Sequence, residues 1–430
     1  MFADDKCAFF RDNMPMKPTK QTPIYQDALA YLEAARSKGL SFNMARGKPS
    51  PEQLDLAAPL LETLHASSDF IDAQGQDVRN YGSLTGIPEA RALFAGLLGV
   101  GQDNVIIYGN SSLHAMYEQI SRSMTHGVLG EKPWSQLAEV KWLCPVPGYD
   151  RHFAILEYFG IKMINVPLLE DGPDMDFVEK AIEDPTVKGI WCVPHYSNPT
   201  GITYSDAVVK RLAALSPKAK DFRIYWDNAY AIHHLYKEGR GELLNIYDEA
   251  KKLGNEDILY LFVSTSKISF PGAGVAAFAC STANLEQVKR QMGISTIGYD
   301  KINQLRHVKY FGSLDGLQAH IDRLADILRP KFELVDRILT ENLSGIDGVR
   351  WTKPRGGYFI SLEVEGKAKE VVSKCKQCGV ILTPAGATYP YGKDPNNSNI
   401  RIAPTYPSLQ ELELACRILC AAIIVEMAEG

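Results

Sequence analysis

Ile258-Leu259-Tyr260-Leu261-Phe262-Val263-Ser264-Thr265-Ser266-Lys267 is an apolar run that ends in three hydroxyl residues and a lysine. Six apolar residues in succession read as a buried strand. A lysine at the end of such a strand is desolvated, which lowers its pKa and leaves the free amine able to form a Schiff base with an aldehyde. Ser264 and Ser266 can donate to phosphate oxygens. Phe270-Pro271-Gly272-Ala273-Gly274 follows, a small-residue turn that lets backbone approach a ligand closely. By itself Ser-x-Ser-Lys also fits an ordinary polar loop, so its meaning depends on the rest of the chain.

Upstream, the pattern alternates. Strands are expected at 104–108, 140–144, 162–166, 189–193 and 223–226. Helices are expected at 24–39, 89–98, from 109 to about 124, after 149 to 160, and near 175–183 and 205–215. Such alternation indicates an α/β domain with a largely parallel sheet, whose ligands lie at the carboxyl ends of the strands. Residues 313–343 read as one or two helices with a break near Pro330. They lead into an α+β part with strands at 358–364 and 399–402 and helices at 367–378 and 408–426. No internal repeat or low-complexity tract interrupts the chain.

The chain has 430 residues, more than one core usually holds, so two domains are expected. A net charge of -5 argues against an electrostatic grip on nucleic acid or on acidic membranes. The start, Met1 to Lys6, is acidic and lacks an apolar signal core. The apolar stretch Ile418 to Met427 is too short to span a bilayer and follows Arg417. These features suggest a cytoplasmic protein without nucleic-acid or membrane partners. The eight cysteines (7, 144, 192, 280, 375, 378, 416 and 420) are scattered. Cys375 and Cys378 straddle a helix end, and reduced thiols are a better reading than a metal or redox site.

Several strand-end loops carry groups that make sense together. Gly109-Asn110-Ser111-Ser112 sets amides and hydroxyls at a helix N-terminus, an arrangement that suits a phosphate and also an ordinary N-cap. Asp227 ends a buried strand, where a carboxylate is costly unless a cation or a protonated group meets it. Asn198-Pro199-Thr200-Gly201 follows the 189–193 strand, and its Asn can donate an amide to a phenolate oxygen.

The chain at this point resembles the class I aminotransferases, which are fold type I pyridoxal-phosphate enzymes. The resemblance rests on Gly47-x-Pro49, Tyr81 with Gly86, Gly109 to Ser112, Pro147-x-Tyr149, Asn198 to Gly201, Asp227-x-x-Tyr230, Ser264-x-Ser266-Lys267, Gly356-Gly357-Tyr358 and Arg401. These motifs agree in order and spacing over nearly the whole chain, with details most like a divergent aspartate aminotransferase branch. The resemblance implies a large domain, 48–312, with a mostly parallel, seven-stranded-type sheet. Residues 1–47 and 313–430 would form a smaller α+β domain.

It also implies roles. Lys267 would hold pyridoxal 5'-phosphate and then act as the base, Asp227 would pair with the ring nitrogen, and His152 would orient Asp227. Asn198 and Tyr230 would bond the ring oxygen, and Tyr149 would stack on the ring. Gly109, Asn110, Ser111, Ser112, Ser264 and Ser266 would surround the phosphate, with Tyr81 reaching in from the partner of a homodimer. Arg401 would clamp the substrate α-carboxylate, and Gly47 would let the chain come close to the substrate. The reaction implied is a ping-pong transfer from an amino acid, L-aspartate foremost, to a 2-oxo acid such as 2-oxoglutarate.

The sequence departs from the family at two places. The arginine that usually follows the lysine and pairs with the phosphate is absent from Gly272-Ala273-Gly274-Val275, which implies weaker coenzyme retention or a substitute. The segment Ser295 to Lys301 lacks an arginine for a distal carboxylate, leaving Lys301, Arg46 and Arg355 as candidates. Alanine, kynurenine or aromatic donors, or a lyase on the same fold, use the same motifs. A regulator with a winged-helix domain does not fit the short, non-basic N-terminal segment.

Overall fold

The structure, a computed structural model, describes residues 17–240 and 242–429. The reading of Met1–Lys6 and of Cys7 lies outside them.

Seven strands form the main sheet: β1 (Val105–Tyr108), β2 (Lys141–Val146), β3 (Lys162–Leu169), β4 (Val187–Cys192), β5 (Arg223–Asp227), β6 (Leu259–Ser264) and β7 (Ala276–Cys280). Their order is β1-β7-β6-β5-β4-β2-β3, and the two-residue strand Gly172–Pro173 adds an antiparallel eighth member at the edge. Neighbours from β6 to β3 are parallel, whereas β7 runs antiparallel to both β6 and β1. Every residue of β1, β4, β5, β6 and β7 is buried, which is why the central strands read as continuous apolar runs rather than alternating ones. Strand β7 had no counterpart in the sequence reading. Its Ala-Ala-Phe-Ala-Cys lacks the β-branched residues that mark strands, and only its place between β1 and β6 makes it one.

Two apolar cores cover the faces of this sheet. A third is built from α1 (Pro23–Arg36), the far half of a long helix, the C-terminal strands β8 (Val349–Trp351), β9 (Ile360–Val364) and β10 (Asn399–Ile402), and the last helix. That last helix, Leu409–Ala428, opens with a reciprocal Ser408–Glu411 capping box. From Ile418 to Val425 each residue is fully buried, so the stretch weighed above as a membrane candidate is a core helix. No helix among the described residues is long and apolar enough to cross a membrane. The seven cysteines among the described residues are free and buried.

The long helix Leu314–Leu343 is continuous, against the expected break at Pro330. The proline removes one N–H from the ladder, at a cost of about 3 kcal/mol. Leu328, Phe332, Val335 and Leu339 bury the same segment in the third core and offset that loss. The near half of the helix packs Leu317, Ile321 and Leu324 against Ile268, next to Lys267. His320 Nε2 donates to the Ile268 carbonyl at 2.8 Å. One helix therefore joins the lysine loop to the third core.

Leu419, fully buried in the last helix, tests that core. Leu419→Ala is expected to lower the unfolding free energy by about 2–5 kcal/mol in urea titrations, through lost burial and a residual cavity.

Candidate active site

Strand direction sets the site. The parallel strands, with β1 in the same sense, carry their carboxyl-end loops to one edge of the sheet. A cavity of about 410 Å³ opens there. From the sheet side it is lined by Ser111, Ser112, Tyr149, Asn198, Asp227, Tyr230, Ser264, Ser266 and Lys267. Arg46, Gly47, Phe359 and Arg401 approach from the third core.

Lys267 is partly buried, its amine 5.0 Å from the Tyr230 ring centre and 6.0 Å from that of Tyr358. Desolvation lowers its pKa and Arg401 adds to this, while Asp227 opposes it. The Tyr358 hydroxyl donates to the Lys267 carbonyl at 3.2 Å and itself accepts from Gln53 Nε2 at 2.7 Å. Behind the lysine, Ser269 Oγ lies 2.8 Å from His307 Nε2, and Asn303 donates to the Ala273 and Gly274 carbonyls at 3.0 and 2.9 Å. The loop that lacks the arginine is thus held by side chains of the helix Lys301–Phe311.

Asp227 is 2 % exposed, and its Oδ2 accepts from His152 Nε2 at 3.0 Å. His152 stacks on Trp191 at 4.2 Å and 11°. The other carboxylate oxygen, Oδ1, is buried with no partner among the described residues. An orphaned acceptor of this kind costs about 1–3 kcal/mol until a donor meets it, and a protonated ring nitrogen is a fitting donor. Burial raises the pKa of Tyr230 well above 10, so its hydroxyl stays protonated. Near the serines, Ser264 Oγ bonds Ser266 Oγ at 3.0 Å, and Ser266 Oγ bonds the Asn110 carbonyl at 3.2 Å. Ser111 caps the helix Ser112–His126 without a side-chain bond, leaving its first amides available to an anion. The cavity therefore combines an amine, an unpaired carboxylate oxygen and a phosphate cradle, which suits pyridoxal phosphate.

Arg401 is 5 % exposed. Its Nη1 donates to Asp150 Oδ1 at 2.9 Å and to Asn198 Oδ1 at 3.3 Å, its Nε to Thr383 Oγ1 at 3.3 Å, and its guanidinium lies 4.8 Å from the Phe359 ring centre. A Cβ on Gly47 would come within 2.6 Å of Phe359 Cζ, so this ring is what the glycine admits. Tyr149 meets His152 edge-on at 4.9 Å, and burial pushes its hydroxyl up to about 12.

Other expected residues lie elsewhere. Gly109 and Asn110 do not line the cavity. The Asn110 amide donates to the Pro271 carbonyl at 3.1 Å and so ties two loops together. Tyr81 is 82 % exposed and lies outside the cavity of its own chain, as does Lys301. Arg355 bonds the Glu238 and Gly239 carbonyls and stacks on Tyr236. Sequence reasoning missed Asp150, Arg151 and Phe359, which line the cavity. Two charged residues immediately after Tyr149, at a strand-end turn, were the available signal.

The sequence model of the aspartate amino-transferase family matches residues 16–429. An aspartate aminotransferase of Corynebacterium glutamicum is 46% identical over 408 residues, covering 94% of each chain. The crystal structure of an aspartate transaminase from that organism superposes with a TM-score of 0.91, at 45% identity, covering 94% of this chain and 96% of the other. The α-aminoadipate aminotransferase LysN of Thermus thermophilus, complexed with N-(5'-phosphopyridoxyl)-L-leucine, shares the fold at 20% identity and a TM-score of 0.72. It covers 94% of this chain and 98% of its own.

Burial lowers the pKa of three histidines around the site, His233 to about 3 and His234 and His307 to about 4, from 6.5. The folded chain then binds fewer protons than the unfolded chain between these values. The stability they contribute is complete above pH 6.5 and is lost as pH falls towards 4. Urea midpoints are expected to hold above pH 6.5 and to drop as pH falls from 6.5 towards 4, and His307→Gln to flatten that slope.

Proposed function

This chain belongs to the aspartate aminotransferase family, and we propose that it moves the amino group of L-aspartate to 2-oxoglutarate by ping-pong exchange, as a cytoplasmic homodimer. It is an aminotransferase, and its cofactor is pyridoxal phosphate. When bound, the cofactor supplies an aldehyde that takes up an amine and a ring that draws electrons from the amino acid Cα. The observation that carries the reading is the meeting of Lys267, the unpaired Asp227 oxygen and Arg401 in one cavity.

Each group has work suited to its surroundings. Lys267, deprotonated more readily than a free lysine, binds the cofactor and takes the proton from substrate Cα. Asp227 would hold the ring nitrogen and keep it protonated through its unpartnered oxygen, while His152 fixes the other oxygen. Tyr230 and Asn198 would hold the ring oxygen as donors, and Tyr149 would pack against the ring. Ser111, Ser112, Ser264 and Ser266 hold the phosphate with hydroxyls and helix amides, without an arginine in the lysine loop. Arg401 receives the α-carboxylate by exchanging it for Asp150, a planar two-point contact that lysine reproduces poorly.

We assign 48–312 to a large domain and 1–47 with 313–430 to a small one. The separate core of the C-terminal part supports this division. The homodimer is supported by an exposed apolar strip of Tyr81, Ile294 and Ile297, exposed 82%, 91% and 60%. The 82–84 backbone lies against Gly298 within it.

Adding L-aspartate to the cofactor-loaded protein should bleach its visible band, and 2-oxoglutarate should restore it. A response to alanine or an aromatic donor alone refutes the substrate assignment. Lys267→Ala should lose the band and all turnover. Arg401→Lys should cut kcat/KM about ten- to hundredfold, mainly through KM. Light scattering that gives a monomer mass would rule out the dimer.

A further inference from the structure

We propose that Arg151 recognises the distal carboxylate of a dicarboxylic substrate whose α-carboxylate is held by Arg401, both arginines coming from the same chain. This rests on the aspartate reading above and names the residue that would set it.

Arg151 stands in the first turn of the helix Asp150–Tyr158 and lines the active cavity beside Ser111 and Tyr149. It is exposed, and it has no hydrogen bond or ion pair with any described residue. A cation in the first turn faces the positive end of the helix dipole. Helix stability therefore does not account for it, whereas an incoming anion would.

The other cations of the cavity are engaged or stand on a different wall. Arg401 is bonded to Asp150, Asn198 and Thr383. The Lys48 ammonium lies 3.8 Å over the Tyr406 ring. Arg46 precedes Gly47, where a Cβ would abut Phe359, the ring under Arg401, so its backbone reaches the cavity from the third core. Arg151 instead follows Tyr149 on the sheet side. The Tyr149 hydroxyl feels both guanidinium groups, since Arg401 and Arg151 each draw its pKa down against burial. Both guanidinium groups thus line one cavity and act on one ring. A dicarboxylate anchored at Arg401 can extend along that cavity to meet the second guanidinium.

The test is Arg151→Met in the cofactor-loaded enzyme, with an exposed side chain whose loss spares the fold. Two readouts are compared: kcat/KM for L-aspartate against L-alanine, and binding of succinate against propionate by titration of the cofactor absorbance. The aspartate and succinate values should fall about ten- to hundredfold, with alanine and propionate nearly unchanged. Arg151→Lys should recover part of the loss. Equal loss for both classes, or no loss, overturns the inference. Loss of cofactor on desalting with succinate still preferred also overturns it, and assigns Arg151 to the phosphate. If the unaltered enzyme ignores aspartate yet prefers succinate through Arg151, the substrate assignment fails and the inference stands.

Discussion

A buried carboxylate with one free oxygen is the constraint around which this molecule is arranged. Asp227 sits at the end of a fully buried strand, where an unpaired charge costs several kcal/mol. Only one of its oxygens is satisfied within the chain, by His152, which is itself clamped flat on Trp191. That arrangement makes sense if the second oxygen awaits a cationic donor, and it explains why strand, histidine and tryptophan come together. The same cavity desolvates Lys267. Two groups that would be ordinary in water are thereby given opposite tasks, one to hold a positive ring nitrogen and the other to shed a proton.

The cavity is closed by two bodies of apolar packing that meet over it. The sheet supplies Lys267 and Asp227, while the third core supplies Arg401 on β10 and Phe359 just before β9. Hydrogen bonds cross between them at several points, among them Arg401 to Asp150 and Asn198. Tyr358 bonds the Lys267 carbonyl, and His320 on the long helix bonds that of Ile268. These bonds fix the lysine backbone from the opposite side. Tyr358 and Phe359, the ring under Arg401, belong to the same core, so the lysine support and the Arg401 wall share one scaffold.

Much of this was legible in the sequence, for identifiable reasons. Strands buried on both faces leave unbroken apolar runs, so β1 and β4 to β6 were readable, and the hydroxyl-lysine end of β6 marked the site. Strand β7 was not, because its small residues gain strand character only from neighbours. Pro330 misled because tertiary burial of Leu328 and Phe332 outweighs a local penalty. Among site residues, those embedded in motifs were found. Asp150 and Arg151 were not, because a charged pair at a helix start usually faces solvent, and only the fold reveals that one pairs with Arg401 and the other lines the cavity. Gly47, read as making room for a substrate, lines the cavity and leaves no space for a Cβ beside Phe359.

The charge around the cavity departs from that of the chain. The protein carries a net charge of -5, yet the cavity is lined by Arg46, Lys48, Arg151 and Arg401, beside Lys267, against Asp150 and Asp227. A concave surface of one sign concentrates ions of the other, and low-dielectric walls strengthen the effect. An acidic exterior repels anions in general, so this local reversal concentrates its pull at one mouth. Asp150 moderates it by occupying Arg401 until a carboxylate displaces it. Arg401 is thereby spared from facing the cavity as an uncompensated buried cation. Exchange of one carboxylate for another at a preformed guanidinium changes little in net charge. Selectivity must then come from what the rest of the substrate reaches, and for a dianion that is the remaining positive wall.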